Sequence, residues 1–376
     1  MGVLFYRDAV NATSVSLPQI EIGVDTEMTE SKADSLKLTE DLDRDWLKMI
    51  RKGKYDINDT TIRYPKFIKF VVDTYLWADN FFNGYDPEWI SSTGKRGKVR
   101  LLSDNWSDVY DFRFAKTPLL LSTNLYCNLG FQANYSVLSL SYTFDMNSLF
   151  TGKKTKHRKF DFALYTSRIF ANAYYWENEG ETTIHRVGNE YGYTNFKHFK
   201  FDGLKFRAAG VMAFYIFNNQ KFSYGADYNL SRYQIKSAGS WLAGLSGTFY
   251  KADFNFLRLP QNISEALNFP FDKYSLNYNA VNLLGGYSYN WVCNKHFLFN
   301  TTTLPGLGMS FSFSDSTIGR KDLFSASLRQ LLSLTYCHRQ FFVTGIGVFH
   351  GHILPHDKLA FMSGIFNMQF STGIRF

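Results

Sequence analysis

Long apolar runs are absent from this sequence. Of its 376 residues, 45% are hydrophobic, but polar residues interrupt them throughout and the mean hydropathy is only -0.23. A helix that crosses a membrane needs roughly 18 or more consecutive apolar residues. The sequence therefore excludes helical membrane spans.

Cysteine is scarce. The chain has three cysteines, Cys127, Cys293 and Cys337, and an odd number argues against a disulfide framework. Neither a CxxC pair nor any other metal-ligand spacing occurs. We therefore expect no cofactor and no metal site.

Aromatic residues, in contrast, make up 18% of the chain, with 37 Phe and 24 Tyr. Close to the carboxyl terminus the aromatic residues fall on even-numbered positions, and Arg, Gly, Ser, Gln and Asn fall on odd-numbered positions. We call each set of alternate positions a parity, because each set would lie on one face of a strand. The first parity carries Met362, Gly364, Phe366, Met368, Phe370, Thr372, Ile374 and Phe376. Strands in soluble sheets run about 5–6 residues, whereas about 9–11 are needed to cross a bilayer. The length of 358–376 favours a membrane-crossing strand; the alternative is the last strand of a soluble sandwich.

The same alternation recurs from about residue 118 onward. One parity is apolar with aromatics near the strand ends, and the other is too polar for the dry core of a sandwich. We therefore predict an all-β fold, a transmembrane antiparallel β-barrel of about 12 strands. The predicted strands are 118–128, 132–145, 160–177, 181–188, 204–217, 221–236, 240–256, 279–292, 296–313, 322–337, 341–353 and 358–376.

The amino-terminal part differs from the rest. Residues 1–30 lack periodicity and are predicted to be a flexible lead. Residues 31–115 are predicted to form a mostly helical periplasmic extension, with helices over about 33–51 and 65–82, and 116–376 the barrel. We expect the extension to dock on one mouth of the barrel and to narrow it, because its apolar faces are too small for an independent core.

A few charges interrupt the alternating segments. A charge at the bilayer midplane costs about 2–4 kcal/mol on the lipid face, so these residues are predicted to face the lumen. They are Arg207, Asp227, Arg329 and Arg375, with the side of Arg168 uncertain. They either make a cationic lumen that selects anions or form paired plugs that hold the barrel shut. Three terminal aromatics, Phe366, Phe370 and Phe376, are predicted to form the signal read by the barrel insertion machinery.

Catalytic patterns are not evident. Gly244-Leu245-Ser246-Gly247 lacks the GxSxG pattern. His350, His352 and His356 could hold a metal if they shared a strand face, but polar loop histidines are the favoured interpretation. The basic run over 153–159 favours a solvated loop over a nucleic-acid site. We predict that the protein is not an enzyme and has no catalytic, cofactor-binding or metal residues.

Several short motifs resemble an uncharacterised family of Bacteroidetes proteins, DUF4421. They are 52–56, 64–67, 82–86, 93–96, 236–240, 286–292 and the closing Gly373-Ile374-Arg375-Phe376. The resemblance covers about residue 45 to the end. It implies an outer-membrane barrel of a diderm, gut-type bacterium, and it brings no activity, ligand or functional residues.

These observations predict a protein of the cell outer membrane in a Gram-negative bacterium. Residues 1–20 lack the apolar core of a secretory signal, so we expect that signal to have been removed or replaced. The favoured function is a structural or accessory subunit of a larger outer-membrane assembly. The alternative is a passive channel or transporter for a small solute, anionic if the arginines line the bore. Expected partners are outer-membrane lipid and lipopolysaccharide, the insertion machinery and other outer-membrane or periplasmic proteins, but not nucleic acid.

Overall fold

Side chains that alternate between two environments produce long strands over most of this chain. The computed structural model describes residues 65–95, 97–114, 117–135, 138–146, 156–179, 181–187, 199–261, 272–315, 319–354 and 361–376. Its elements are helix α1 (Lys66–Asn83), strands β1 (Ile90–Ser92), β2 (Gly97–Phe114), β3 (Thr117–Thr123), β4 (Tyr126–Tyr135), β5 (Leu138–Asp145), β6 (Lys156–Tyr165), β7 (Ile169–Glu179), β8 (Thr182–Val187), β9 (Phe199–Phe201) and β10 (Leu204–Ile216), helix α2 (Tyr224–Asp227), and strands β11 (Arg232–Gln234), β12 (Ala238–Asn255), β13 (Lys273–Val292), β14 (Phe297–Asp315), β15 (Gly319–His338), β16 (Phe341–Leu354) and β17 (Phe361–Arg375).

The chain divides into two compact units, 1–80 and 81–376. Helix α1 follows Pro65, which cannot donate a backbone hydrogen bond and is favoured in a first helical turn. The helix agrees with the one predicted over 65–82. The predicted lead, 1–30, and the helix predicted over 33–51 lie outside the described residues. No helix in the described part of the chain is both long and apolar enough to cross a membrane.

The second unit is a curled antiparallel sheet, which confirms the predicted fold class. Around its wall the described strands follow the order β6, β7, β10, β12, β13, β14, β15, β16, β17, β2, β4 and β5. The terminal strand β17 pairs with β2 over its whole length, from Phe361 opposite Phe112 to Arg375 opposite Lys98. Gly97 and Phe376 then exchange backbone hydrogen bonds of 2.9 and 2.8 Å. The last strand thus closes onto the first long strand.

The wall has the predicted number of strands but not the predicted members. Strand β2 lies in 97–114, which the sequence analysis assigned to the helical extension, so the barrel begins before residue 116. Its buried parity carries Asp104 and Asp108 beside Leu102 and Tyr110, and these carboxylates hide the alternation.

Several other predicted strands were wrong. The range 118–128 runs from β3 into β4, and the range 132–145 runs from β4 into β5. The range 160–177 contains a turn at 166–168, so it is the hairpin of β6 and β7. The range 221–236 is not a wall strand, because most of it folds into the interior. Strand β8, close to the predicted 181–188, pairs with β3 and β9 beside the wall rather than in it.

The two parities of the wall strands face different surroundings, as predicted. The outer face is apolar, with exposed residues that include Trp241, Leu245, Val281, Leu283, Leu307, Met309, Leu332, Leu334, Val343, Met362, Phe366, Met368 and Phe370. The inner face carries buried polar side chains that bond to one another across strands. Ser288 and Thr302 hydroxyls lie 2.6 Å apart, and Ser325 donates to Asn282 at 2.7 Å.

The two ends of the wall differ. The turn end carries Gly97, Phe376 and the short turns at 293–296 and 339–340. At the opposite end, the loop end, aromatic side chains from both sides of the wall meet. Tyr110 of β2 lies 4.7 Å from Phe206 of β10, and Phe112 of β2 lies 4.6 Å from Phe254 of β12, measured between ring centroids. These rings belong to one buried group, the aromatic cluster, with Leu119, Leu121, Ile184, Phe201, Tyr250, Tyr274, Tyr278 and Phe361 among its other members.

Candidate functional site

The connection between β10 and β12, residues 217–237, is longer than the sheet requires. Ile216 already pairs with Leu242, so a tight hairpin turn would join the two strands. Instead, every residue from 222 to 230 is buried, and Tyr224–Asp227 form the single turn α2. Leu230 then adopts a left-handed backbone conformation, with φ at 57°. We call residues 217–237 the inserted segment.

Polar side chains on the inner face of the wall bind the inserted segment. Tyr228 Oη donates to Asn300 Oδ1 of β14 at 2.6 Å. Further bonds come from five other strands: Lys98 of β2 to Asn229 O and Oδ1, Asn134 of β4 to Asn229 Oδ1, Asn290 of β13 to Ser223 O, Ser333 of β15 to Asp227 Oδ1, and Arg375 of β17 to Leu230 O. Because these strands are spread around the wall, the inserted segment lies in the bore.

Aromatic packing completes this contact. The Tyr224 ring lies 5.1 Å from the Phe170 ring of β7 and 5.3 Å from the Phe214 ring of β10, both nearly edge to face. Phe222 and Ile216 are fully buried in the same cluster. Burial of such side chains contributes about 1.5–3 kcal/mol each, so the inserted segment is a packed part of the core.

The residues just before the barrel hold the carboxyl-terminal part of the inserted segment. Strand β1 pairs with β11, from Ile90 opposite Gln234 to Ser92 opposite Arg232. Arg232 also donates to Asn83 O at 2.9 Å and to Ser167 Oγ at 2.6 Å. A two-stranded sheet therefore ties the inserted segment at the turn end.

Asp227 is the buried acid of the inserted segment. It is fully buried, and only its Oδ1 atom accepts a bond, from Ser333 at 3.1 Å; Oδ2 has no partner within the described residues. Burial raises the pKa of the Asp227 carboxyl from 3.8 to about 8, and the bond from Ser333 opposes this shift. The carboxyl is therefore mostly protonated at neutral pH.

A polar chamber lies between the inserted segment and the aromatic cluster. Its volume is about 450 Å³, and a second cavity of about 100 Å³ adjoins it. Strand β5 contributes Ser141 and Thr143, and β6 contributes Lys159 and Asp161. Within the described residues β5 and β6 have no paired backbone, although their Cα atoms approach within 8 Å. The chamber thus borders an unpaired seam in the wall.

Some charged groups in the chamber are paired with an opposite charge, and others are not. Lys159 Nζ lies 2.9 Å from Asp104 Oδ2, and Asn367 donates to the same carboxylate at 2.6 Å. Arg100 is 6% exposed and its Nε donates to Gln132 Oε1 at 2.6 Å, but its Nη1 has no partner in the described part of the chain. The same holds for Nε of Arg329.

The predicted lumen charges occupy three different environments. Arg329 faces the chamber as expected, and Arg375 is buried, with Nη1 2.7 Å from Tyr233 Oη. Asp227 is interior but belongs to the inserted segment rather than to a strand. Arg207 lies on the outer face, 3.0 Å from Glu177, because Phe206 and Ala208 occupy the inner parity there. Its assignment to the lumen was wrong.

The remaining predicted residues are placed as follows. Phe366, Phe370 and Phe376 are exposed on the outer face; their role in insertion stays a prediction. His350 and His352 share the inner face, and His352 contacts Ser325 Oγ at 3.1 Å, whereas residue 356 lies outside the described residues. Among the described residues no cluster of His, Cys, Asp or Glu is suited to a metal ion.

Sequence reasoning missed the charged members of the chamber other than Arg329. Arg100 lay in the range assigned to the extension, and Lys159 ended the basic run assigned to a loop. The only available signal was parity: Arg100, Leu102, Asp104 and Trp106 share one face of β2. Because two of those four residues are charged, the sequence of β2 does not show the pattern expected of a barrel strand, although the inner face of such a strand can be polar.

Solved structures resemble this chain in their strands but share little sequence with it. The outer membrane protease OmpT from Escherichia coli is 9% identical with a TM-score of 0.39, covering 76% of this chain and 98% of that one. The Pseudomonas putida toluene transporter TodX is 9% identical with a TM-score of 0.24, covering 75% and 90%. OmpT, an outer membrane protein of Vibrio cholerae, is 9% identical with a TM-score of 0.16, covering 74% and 97%. At these values no activity transfers to this chain. No curated protein matches it.

The family comparison is more informative. A family described as a domain of unknown function, DUF4421, matches residues 84–376. The match includes β1, the whole sheet and the inserted segment, while the motifs at 52–56 and 64–67 lie outside it. It spans well over half of the sequence, and the chain therefore belongs to the DUF4421 family.

Proposed function

We infer that this protein is an integral barrel of the cell outer membrane whose bore is closed, and that it serves as a structural or accessory subunit of a larger assembly. The observation that carries this proposal is the inserted segment, which is hydrogen-bonded to six strands around the wall. The aromatic cluster supports it, because rings from opposite sides touch at the loop end. A bore that is filled at both ends is unsuited to the passive passage of solutes.

The outer face supports the membrane location. Soluble monomers rarely expose contiguous apolar patches larger than a few hundred Å². Here large apolar side chains are exposed along successive wall strands, and Met368, Trp241 and Leu283 are each more than 60% exposed. Hydrocarbon is the environment in which such a surface is stable. Lipid and lipopolysaccharide, the insertion machinery, and other outer-membrane or periplasmic proteins are the proposed partners.

One observation favours the alternative, a passive channel or transporter for a small anionic solute. The chamber contains arginines that are not fully paired, and a solute could use them. Transport would require both the inserted segment and the aromatic cluster to move. The prediction that the protein is not an enzyme stays a prediction.

Conductance tests the closed bore. In planar bilayers the full-length protein should give little steady current compared with an open porin of similar strand number. Replacing residues 221–236 by a short Gly-Ser linker should leave current low, because the aromatic cluster remains. Combining that replacement with Tyr110→Ala and Phe206→Ala should raise it. Large steady current from the unaltered protein would contradict closure and favour the channel.

The accessory role needs a separate measurement. Protein extracted from native outer membranes in mild detergent should run as an assembly larger than the same chain refolded alone, with fixed stoichiometry after crosslinking. Equal sizes for the two preparations would leave the closed barrel intact and reject the accessory role.

A further inference from the structure

We propose that the chamber is a binding site for a small anionic group, a phosphate or a carboxylate, held between Arg100 and Arg329. This site goes beyond the closure of the bore, and it would exist in an accessory subunit as well as in a gated carrier.

Arg100 is the first reason. Its side chain is nearly inaccessible to solvent, and its Nε donates to the neutral amide of Gln132. Its Nη1 atom lines up with no acceptor among the described residues. Guanidinium stays charged under all ordinary conditions, and a buried charge without a counter-charge is strongly unfavourable. An anion in the chamber would remove that penalty.

Arg329 is the second reason. It projects from β15 into the same chamber and its Nε lacks a partner within the described part of the chain. Tyr165 of β6 lies within electrostatic range of both Arg100 and Arg329. Two guanidinium groups from separate strands therefore converge on one volume. Their planar forks match the oxygen geometry of phosphate and carboxylate.

The carboxylates of the chamber do not cancel these charges. Asp104 is paired with Lys159, which leaves Asp161, itself bonded by the neutral amide of Asn172 at 3.1 Å, as one carboxylate against two arginines. The lining holds three cations and two carboxylates, so it has an excess of positive charge. The rest of its polar lining is uncharged amides and hydroxyls, including Gln132, Asn134, Thr143, Asn367 and Gln369.

The size and position of the chamber suit such a ligand. Ligand pockets commonly hold about 300–1,000 Å³, and this chamber holds about 450 Å³. It borders the unpaired seam between β5 and β6, which faces the lipid side of the wall. The anionic group could therefore belong to a lipid headgroup that enters through the seam or to a soluble ion. Both sources share the chemistry that the arginines recognise.

Titration calorimetry tests the site with soluble ions. Full-length protein in uncharged detergent is titrated with inorganic phosphate and with acetate, at ionic strength held constant with chloride. We expect saturable binding of at least one ion, weakened about tenfold or more by Arg100→Gln and by Arg329→Gln. Arg207→Gln, which alters an outer-face arginine paired with Glu177, is the matched control and should bind normally.

A second arm tests lipid. The protein is reconstituted in nanodiscs of phosphatidylcholine with or without phosphatidylglycerol, and retained lipid is counted by native mass spectrometry. Retention of phosphatidylglycerol that is lost in both variants, without binding of soluble ions, assigns the site to a headgroup. Each variant must keep the heat-dependent gel shift of a folded barrel; if one fails, the other carries the test. No saturable ion binding and no selective lipid retention, or equal effects of Arg207→Gln, would overturn the proposal.

Discussion

Two stretches with nearly the same residue pattern have different fates in this molecule. Residues 222–230 and strand β17 both alternate aromatic or aliphatic side chains with Ser, Gly and Asn. Strand β17 lies in the wall with its apolar parity exposed, as in Phe366, Phe370 and Ile374. In residues 222–230 both parities are buried. An alternating sequence therefore shows that a segment has two different faces. It does not show whether those faces are exposed or buried in the protein.

The difference has a local and a non-local cause. Locally, Gly225 and Asp227 are poor strand residues, and the chain forms the one turn of α2 there. Non-locally, β10 and β12 pair with each other directly, which leaves no place in the wall for residues 222–230. Polar residues of the inner face, such as Lys98, Asn290 and Arg375, then donate to backbone carbonyls that a strand partner would have bonded.

The largest effect is expected for a charge on the outer face of β17. Met368 is 61% exposed near the centre of that strand, and Met368→Lys should cost about 2–4 kcal/mol because the ammonium would lie in hydrocarbon. Phe341→Lys, at the strand end, is the control and should cost about 0–1 kcal/mol. Denaturant titrations of folding into lipid vesicles measure both. Equal costs would show that this face does not cross a bilayer.

A smaller loss is expected in the inserted segment. Tyr228→Phe removes the hydroxyl that donates to Asn300 and should cost about 0.5–1.5 kcal/mol, because a buried hydrogen bond is lost while Asn300 Oδ1 keeps the bond from Thr302 Oγ1 at 3.0 Å. Tyr287→Phe on the outer face, where the ring is 39% exposed, should change stability by less than about 0.5 kcal/mol. The same folding titrations measure these variants. If Tyr228→Phe is also neutral, the inserted segment is not anchored as described.

The buried acid should make stability depend on pH. Because the pKa of Asp227 is raised from 3.8 to about 8, the unfolded chain loses this proton at lower pH than the folded protein does. Wild-type stability should therefore fall as pH rises from about 4 to about 8. Asp227→Asn removes that dependence, so the stability of the variant relative to the wild type should increase across this pH range. Parallel curves for the two proteins would contradict burial of the acid.

The smallest change in stability is expected at the terminus. Phe376 is 61% exposed, so Phe376→Ser should change the stability of refolded protein by less than about 0.5 kcal/mol. Its predicted role is in insertion, so the amount in the outer membrane should fall. Immunoblots of membrane fractions beside an internal Phe311→Ser control measure this. Normal levels of Phe376→Ser would reject the insertion signal.

The hairpins from β12 to β17 were predictable because their inner face is polar with few charges and their outer face is mostly apolar. Strand β2 was not, because Asp104 and Asp108 on its inner parity disguise the period. Arg329 and Arg375 were assigned to the interior correctly, since parity and the cost of charge in lipid agree for them. Arg207 was not, because an ion pair with Glu177 makes the outer face tolerable for it near a strand end.

The sequence by itself determined that this chain forms long two-faced strands, and that the last of them is long enough to cross a membrane. Those properties depend only on parity and length. The tertiary structure decided which strands share the wall, that residues 222–230 fill the bore, and that Arg100 and Arg329 converge on one chamber. Each of these depends on contacts between residues far apart in the chain, such as Lys98 with Asn229, and no local pattern records such a contact.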